Sequence, residues 1–123
     1  MGGFEDLEVW KVCRQFRIEC SKIAKAFPPE EKYRLTDQLI RSSRAITANI
    51  SEGHGRYHYQ ENIQFCRMAR GSLNESLDHL ITAYDEGYLE DKILEEMRKN
   101  FSHCLKLING YISYLNRRKN EST

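Results

Sequence analysis

The sequence predicts an all-α protein, an up-down-up-down antiparallel four-helix bundle, and three observations support this fold class. Apolar residues recur at alternating intervals of three and four in four long segments, which is the spacing of one face of an amphipathic helix. Short stretches that carry the prolines and several glycines separate these segments. The 123 residues suit one domain with one core. We therefore expect a single bundle domain over residues 1–119 and a disordered tail over residues 120–123.

The first predicted helix extends from about Phe4 to Phe27 and ends at the adjacent Pro28 and Pro29, which cannot continue it. Acidic residues near its start suit the positive end of the helix dipole. Its predicted apolar face consists of Val9, Cys13, Phe16, Cys20, Ile23 and Phe27.

The second predicted helix starts near Pro29, because proline followed by two glutamates is typical of a first helical turn. Its predicted core face consists of Thr36, Leu39, Ser43, Ile46 and Ile50. Many side chains around this face are small, Ser42 and Ala45 among them. We expect a neighbouring helix to approach closely here.

A polar joint is predicted between the second and third helices. Gly53 is expected to end the second helix in the left-handed conformation, with Gly55 continuing the turn. Asn49 and Glu52 are expected to brace this turn with polar contacts.

The third predicted helix extends from about Tyr57 to Asp85 and ends at Gly87. Its predicted core face consists of Cys66, Ala69, Leu73, Leu77, Leu80 and Tyr84, supported by Ile63 and Ile81. Gly71 lies within this helix, where glycine costs about 1 kcal/mol relative to alanine. We therefore predict a tight helix contact at Gly71.

The fourth predicted helix extends from about Leu89 to Arg118. Its predicted core face consists of Leu94, Met97, Phe101, Cys104, Ile108, Tyr111 and Leu115.

Charge is distributed unevenly along a chain whose formal net charge is +1. Residues 41–70 carry five arginines against two glutamates, and residues 97–123 carry six basic residues against one acidic residue. Residues 71–96 carry eight acidic residues against one lysine. The protein is therefore predicted to present separate basic and acidic surfaces.

The four cysteines lie on the predicted core faces, and no two are spaced as CxxC. This favours buried, reduced thiols in a cytoplasmic protein over a zinc site. We expect no signal peptide, because the acidic N-terminus lacks an apolar segment. No apolar stretch approaches the roughly 20 residues that span a membrane.

Enzymatic motifs are weak or absent. Neither phosphate-binding glycine motif is present, and no histidine follows glutamate at the Glu-x-x-His spacing of bundle di-iron sites, so we predict no metal and no cofactor. Arg98 and His103 match the loose arginine–histidine spacing of all-helical HEPN ribonucleases. On an ideal helix, however, a five-residue offset directs the two side chains about 140° apart.

Basic residues remain as candidates for binding the phosphates of nucleic acid. The full set consists of Arg41, Arg44, Arg56, Arg67, Arg70, Arg117, Arg118 and Lys119. The five from residues 41–70 are predicted to share one surface. The equally weighted alternative is that some pair with Glu52, Glu75 or Asp78 and fix helix register or a subunit contact. Tyr57 and Tyr59 add rings that could stack on unpaired bases.

Three stretches, "FEDLEVWK", "FPPEEKYRLTDQLIRSSRAITANISEGHGR" and "CRMARGSLNESLDHL", resemble the four-helix-bundle proteins encoded in intervening sequences of bacterial 23S ribosomal RNA genes. The resemblance covers about Phe4 to Leu115 and is most specific at "NISEG-GR" (residues 49–53, 55 and 56), with residues 71–73 and Glu75. The chain departs from the family pattern at "YHY", residues 57–59, where a polar or basic run is more usual. The family is also similar to the accessory protein of diversity-generating retroelements, which partners a reverse transcriptase and binds nucleic acid.

This resemblance implies a homo-oligomeric ring, commonly a pentamer, with a basic surface for RNA or DNA and no enzyme activity. We therefore expect a non-enzymatic bundle that binds nucleic acid, RNA more readily than DNA. The alternative is an oligomeric protein-interaction adaptor, for example for a reverse transcriptase, and a HEPN-like ribonuclease is a further alternative.

Overall fold

The computed structural model describes residues 2–122 and confirms the predicted all-α four-helix bundle. Its helices are α1 (Glu8–Lys25), α2 (Leu35–His54), α3 (Tyr59–Asp85) and α4 (Asp91–Glu121). Consecutive helices pack against each other and α1 closes the bundle against α4. The α2–α3 contact is the most extensive of the four, and the α1–α4 contact is the least extensive.

Two of the predicted helix starts were too early. Phe4–Asp6 forms a separate 3-10 turn that precedes α1, and the Phe4 ring packs edge-on against Trp10. Pro29–Glu31 is also a 3-10 turn, so α2 begins at Leu35 rather than near Pro29. A side-chain contact accompanies the start of α2. The Glu31 carboxylate accepts hydrogen bonds from the Leu35 backbone N–H at 3.2 Å and from the Tyr88 hydroxyl at 2.9 Å.

The hydrophobic core follows the predicted faces with a few shifts between neighbouring positions. Ser76 and Ala83 of α3 are buried where Leu77 and Tyr84 were predicted, and Ile112 of α4 is buried where Tyr111 was predicted. On α1, Ala24 is buried and Ile23 is only partly buried. Small side chains at Ser76 and Ala83 let α3 lie close to its neighbours.

All four cysteines are buried free thiols, as predicted. Burial raises the pKa of Cys66 to about 11. The pKa of Cys13 is raised by its contact with the Cys104 thiol and by burial, and that of Cys20 is raised by burial. The thiols of Cys13, Cys20 and Cys66 are therefore protonated near neutral pH. A protonated thiol is a poor nucleophile.

Two glycines differ from their predicted roles, and one conforms. Gly53 lies inside α2, and no left-handed φ occurs there, because among residues 2–122 only Gly2 and Gly87 have positive φ. Gly71 is exposed, and no atom lies within 4 Å of where a side-chain Cβ would stand, so it makes no tight helix contact. Gly87 has φ +83° and forms the turn after α3, as predicted.

Helix α4 continues beyond its predicted end at Arg118 to Glu121. It therefore includes residues 120 and 121, which the sequence assigned to a disordered tail. The Ser122 backbone N–H also bonds to the Arg118 carbonyl at 3.1 Å, whereas Thr123 lies outside the described residues.

Candidate nucleic-acid interface

The five arginines of residues 41–70 do not share one surface. Arg44 lies beside α1, where it lines a groove between α1 and α2. Arg70 lies on the other side of the bundle, because its guanidinium donates to Asn109 Oδ1 of α4 at 2.8 Å. Since α1–α2 and α3–α4 form opposite sides of the bundle, these two arginines cannot contact the same short stretch of ligand.

Arg56 is held within the joint between α2 and α3. Its guanidinium lies 3.0 Å from Glu52 and 4.0 Å from Glu61, and it covers the Phe65 ring with its Cζ 4.8 Å from the ring centre. Glu52 therefore braces the joint as predicted. The internal pairing that the sequence left open is observed here.

The other predicted joint residues act in different ways. Asn49 donates to the Ala45 carbonyl of its own helix at 2.9 Å, so its contact lies within α2 and not at the turn. Gly55 ends α2 with ordinary right-handed φ and ψ of −78° and −5°. Gly53 lets α3 approach α2, because a Cβ there would stand 2.7 Å from Asn62 Oδ1 and 2.8 Å from Phe65 Cβ.

A basic groove lies between α1 and α2, with a volume of about 490 Å³. Four cationic side chains line it, three from α1 and one from α2: Arg17, Lys22, Lys25 and Arg44. Its remaining lining consists of Ile18, Ser21, Ile40 and Ser43, so no carboxylate is among the lining residues. We call this feature the α1–α2 groove.

Few contacts neutralise the charge of the α1–α2 groove. The Arg17 guanidinium donates to Thr47 Oγ1 at 2.9 Å, which positions it without cancelling its charge. Lys22 lies 3.7 Å from Glu19 in an exposed pair, which contributes little. Within the described part of the chain, Lys25 and Arg44 have no ion-pair partner.

Sequence reasoning missed Arg17, Lys22 and Lys25 because residues 1–40 contain equal numbers of acidic and basic residues. These residues are recognisable from their positions around the α1 helix and not from the net charge of residues 1–40. Arg17, Ser21 and Lys25 follow one another at intervals of four and so lie on one face of α1. Glu19 instead faces the groove between α1 and α4.

The remaining predicted arginines of α2 and α3 are exposed. Arg41 lies 3.8 Å from Asp37, one turn earlier on α2. Arg67 points to solvent and has no ion-pair partner among residues 2–122.

The basic C-terminal turn of α4 lies beside the start of α3. Lys119 Nζ donates to Gln60 Oε1 at 2.7 Å, and this bond fastens the two helix ends together. Arg118 pairs with Glu121 at 3.4 Å, and a hydrogen bond to the Tyr59 hydroxyl raises the pKa of Arg118. Arg117 is exposed, with no ion pair in the region described.

Arg98 and His103, the residues of the HEPN-like alternative, do not line a common cavity. His103 lines the α1–α4 groove of about 560 Å³, and Arg98 is absent from that lining. Among residues 2–122, no three histidine, cysteine, aspartate or glutamate side chains are grouped to hold a metal ion. No described helix is both long and apolar enough to cross a membrane.

Comparison with known proteins gives a family match and a match of fold. A family model described as 23S rRNA-intervening sequence protein matches residues 5–110. A solved structure from Bacteroides thetaiotaomicron, a protein of unknown function from the S23 ribosomal protein family, is 22% identical with a TM-score of 0.78. The alignment covers 85% of this chain and 95% of that chain. No curated protein matches this chain.

Proposed function

The chain belongs to the 23S rRNA-intervening sequence protein family, and we propose that it is a non-enzymatic, ring-forming bundle that binds nucleic acid. The observation that carries the proposal is the α1–α2 groove, in which four cations converge and no carboxylate lines the wall. A groove of this kind attracts a phosphate backbone, because each phosphate carries a negative charge.

The dimensions of the α1–α2 groove suit a nucleic-acid strand. Arg17 and Lys25 are separated by about 12 Å along α1, at 1.5 Å per residue. That length corresponds to roughly three phosphates of one strand of a duplex. Contacts to phosphates give affinity without base preference, so binding through this groove is sensitive to salt and insensitive to sequence. The ribosomal RNA setting of the family favours RNA over DNA as the ligand.

A charge reversal tests this assignment. In the double variant Lys25→Glu, Arg44→Glu, we expect binding of a fluorescent RNA at low salt to weaken at least about tenfold, because two attractions become repulsions. The matched control is Arg67→Glu, Arg98→Glu, which makes the same change in net charge on α3 and α4. Anisotropy titration measures binding, and circular dichroism verifies that both variants remain helical.

The outcomes of this comparison are distinct. The proposal requires a large loss of RNA affinity in the groove variant and a small loss of RNA affinity in the control variant. Equal losses would show that binding depends on net charge and not on this groove. No loss in the groove variant would exclude the groove as the nucleic-acid site.

A second candidate function is that of an oligomeric protein-interaction adaptor, for example for a reverse transcriptase. It is favoured by the α1–α4 groove, whose lining includes Val12, Phe16 and Met97, between the two helices that touch least. Under this function Arg44 belongs to a subunit contact, and Arg44→Glu lowers the mass of the assembly in light scattering. Under nucleic-acid binding, the same substitution leaves the mass of the ring unchanged.

A further inference from the structure

Four tyrosines and two histidines gather at the end of the bundle where α3 begins and α4 ends. They come from the end of α2, the joint, the start of α3 and the last turns of α4: His54, Tyr57, His58, Tyr59, Tyr111 and Tyr114. We call this feature the aromatic end. It lies at the opposite end of the bundle from the α1–α2 and α3–α4 connections.

Two of these tyrosines form a fixed platform. The Tyr111 hydroxyl accepts from Asn62 Nδ2 at 3.2 Å, and burial raises the pKa of Tyr111 despite that bond. The Tyr114 ring lies nearly parallel to that of Tyr111, with 6.1 Å between ring centres and 12° between planes. Tyr111 is therefore part of the packing, and Tyr114, 46% exposed, presents the outer ring of the pair.

Tyr57 has no comparable structural role. It is 90% exposed, and its described ring contact is with the adjacent His58, at 4.8 Å in an edge-on arrangement. An exposed aromatic ring contributes almost nothing to the core. A ring that is presented in this way beside cations is suited to stacking against another flat group.

Two cavities adjoin the Tyr57 ring. One has a volume of about 450 Å³ and is lined by residues 57–60 together with Lys119 and Ser122. The other has a volume of about 240 Å³ and lies between Tyr57 and Tyr114, with Arg56 in its wall. Neither cavity has a carboxylate among its lining residues. Flat apolar walls, cationic rims and volumes of a few hundred Å³ suit a small aromatic ligand that carries negative charge.

We propose that the aromatic end binds an unpaired nucleobase of an RNA strand, stacked on Tyr57, with a neighbouring phosphate on Lys119. Every base has a flat face, so stacking on a tyrosine is tolerant of sequence, and it is open only to a base that is not paired in a duplex. This inference rests on the proposed nucleic-acid binding and adds a preference to it. The α1–α2 groove accepts any backbone, and the aromatic end selects strands with unpaired bases.

The test compares Tyr57→Leu with Tyr33→Leu. Tyr33 is the matched control, because it is 83% exposed and lies between α1 and α2 at the opposite end of the bundle. The probes are a single-stranded RNA, a duplex of the same sequence and a single strand with abasic positions. We expect Tyr57→Leu to weaken single-strand binding roughly tenfold and to leave duplex binding unchanged. Tyr33→Leu is expected to change neither, and Tyr57→Phe is expected to bind like the wild type.

The outcomes separate this inference from the proposed function. Unchanged single-strand affinity in Tyr57→Leu overturns the aromatic-end site, and if the α1–α2 groove variant still loses binding, the proposed function stands. A smaller assembly in Tyr57→Leu by light scattering also overturns it, because Tyr57 would then be a subunit contact. Wild-type protein that binds the abasic strand as tightly as the intact strand excludes base stacking. Absence of binding to all three probes excludes both proposals.

Discussion

At the scale of single residues, Gly53 has a role that depends on the neighbouring helix. It is buried inside α2 with helical backbone angles, so the freedom of glycine to adopt positive φ is not used there. What is used is the missing side chain, because Asn62 and Phe65 of α3 occupy the space where a Cβ would stand. Asn62 in turn bonds to Tyr111 of α4. Gly53 thus permits a contact that links three helices at the aromatic end.

We predict that Gly53→Ala destabilises the protein by about 1–3 kcal/mol, since its Cβ would stand within 3.0 Å of two atoms of α3 and force them apart. The control is Gly71→Ala, at an exposed helical position with no atom within 4 Å of the new Cβ. That change is expected to stabilise the protein by about 0.5–1 kcal/mol through helix propensity. Urea unfolding followed by circular dichroism measures both. Stabilisation by Gly53→Ala would show that α3 moves away at little cost.

At the scale of helices, α2 and α3 form the closest pair through small and polar side chains. Ser42 and Ser76 are buried, and their hydroxyl oxygens lie 2.8 Å apart across the interface. Each hydroxyl also has a backbone carbonyl of its own helix within reach, that of Leu39 at 3.3 Å and that of Ser72 at 2.9 Å. All buried polar side-chain atoms of the described residues are likewise hydrogen-bonded. The buried polar groups of this interface are therefore hydrogen-bonded, and the two helices still pack closely.

A double-mutant cycle between Ser42→Ala and Ser76→Ala is expected to give a coupling free energy of about 0.5–1.5 kcal/mol, since the two hydroxyls share one hydrogen bond. The control cycle pairs Ser76→Ala with Ser43→Ala. Ser43 is also buried on α2, but its hydroxyl bonds to the Ile40 carbonyl of its own helix at 3.2 Å. Unfolding free energies from denaturant titration give both couplings. Equal coupling in the two cycles would contradict a specific Ser42–Ser76 contact.

The helices themselves were predictable from the sequence, because apolar spacing and chain breakers are local signals. The role of Gly53 could not be predicted from the sequence. A glycine near a predicted helix end normally indicates a helix terminator, and its packing role becomes visible only when the position of the next helix is known. The same holds for Arg70, whose partner Asn109 lies on α4, 39 residues later in the chain. Lys25 was missed for a different reason: its charge was averaged with that of acidic residues on another face of α1.

At the scale of the whole molecule, the nearly neutral net charge conceals a separation of charge between faces. The α1–α2 groove gathers four cations without a lining carboxylate. The α1–α4 groove on the adjoining side is lined by Glu19 and Glu96. This separation of charge favours a polyanion in the α1–α2 groove over the α1–α4 groove, so under the proposed function the ligand would be oriented as well as bound.

The salt dependence of RNA binding tests this account most directly. For a single strand, the slope of log K against log salt concentration is about −0.7 for each phosphate contact. Replacing Lys25 and Arg44 with glutamine removes two contacts, so the slope is expected to become shallower by about 1.4. Glutamine at Arg67 and Arg98 is expected to leave the slope as it is in the wild type. An unchanged slope in the groove variant, or an equal change in both variants, would contradict binding in the α1–α2 groove.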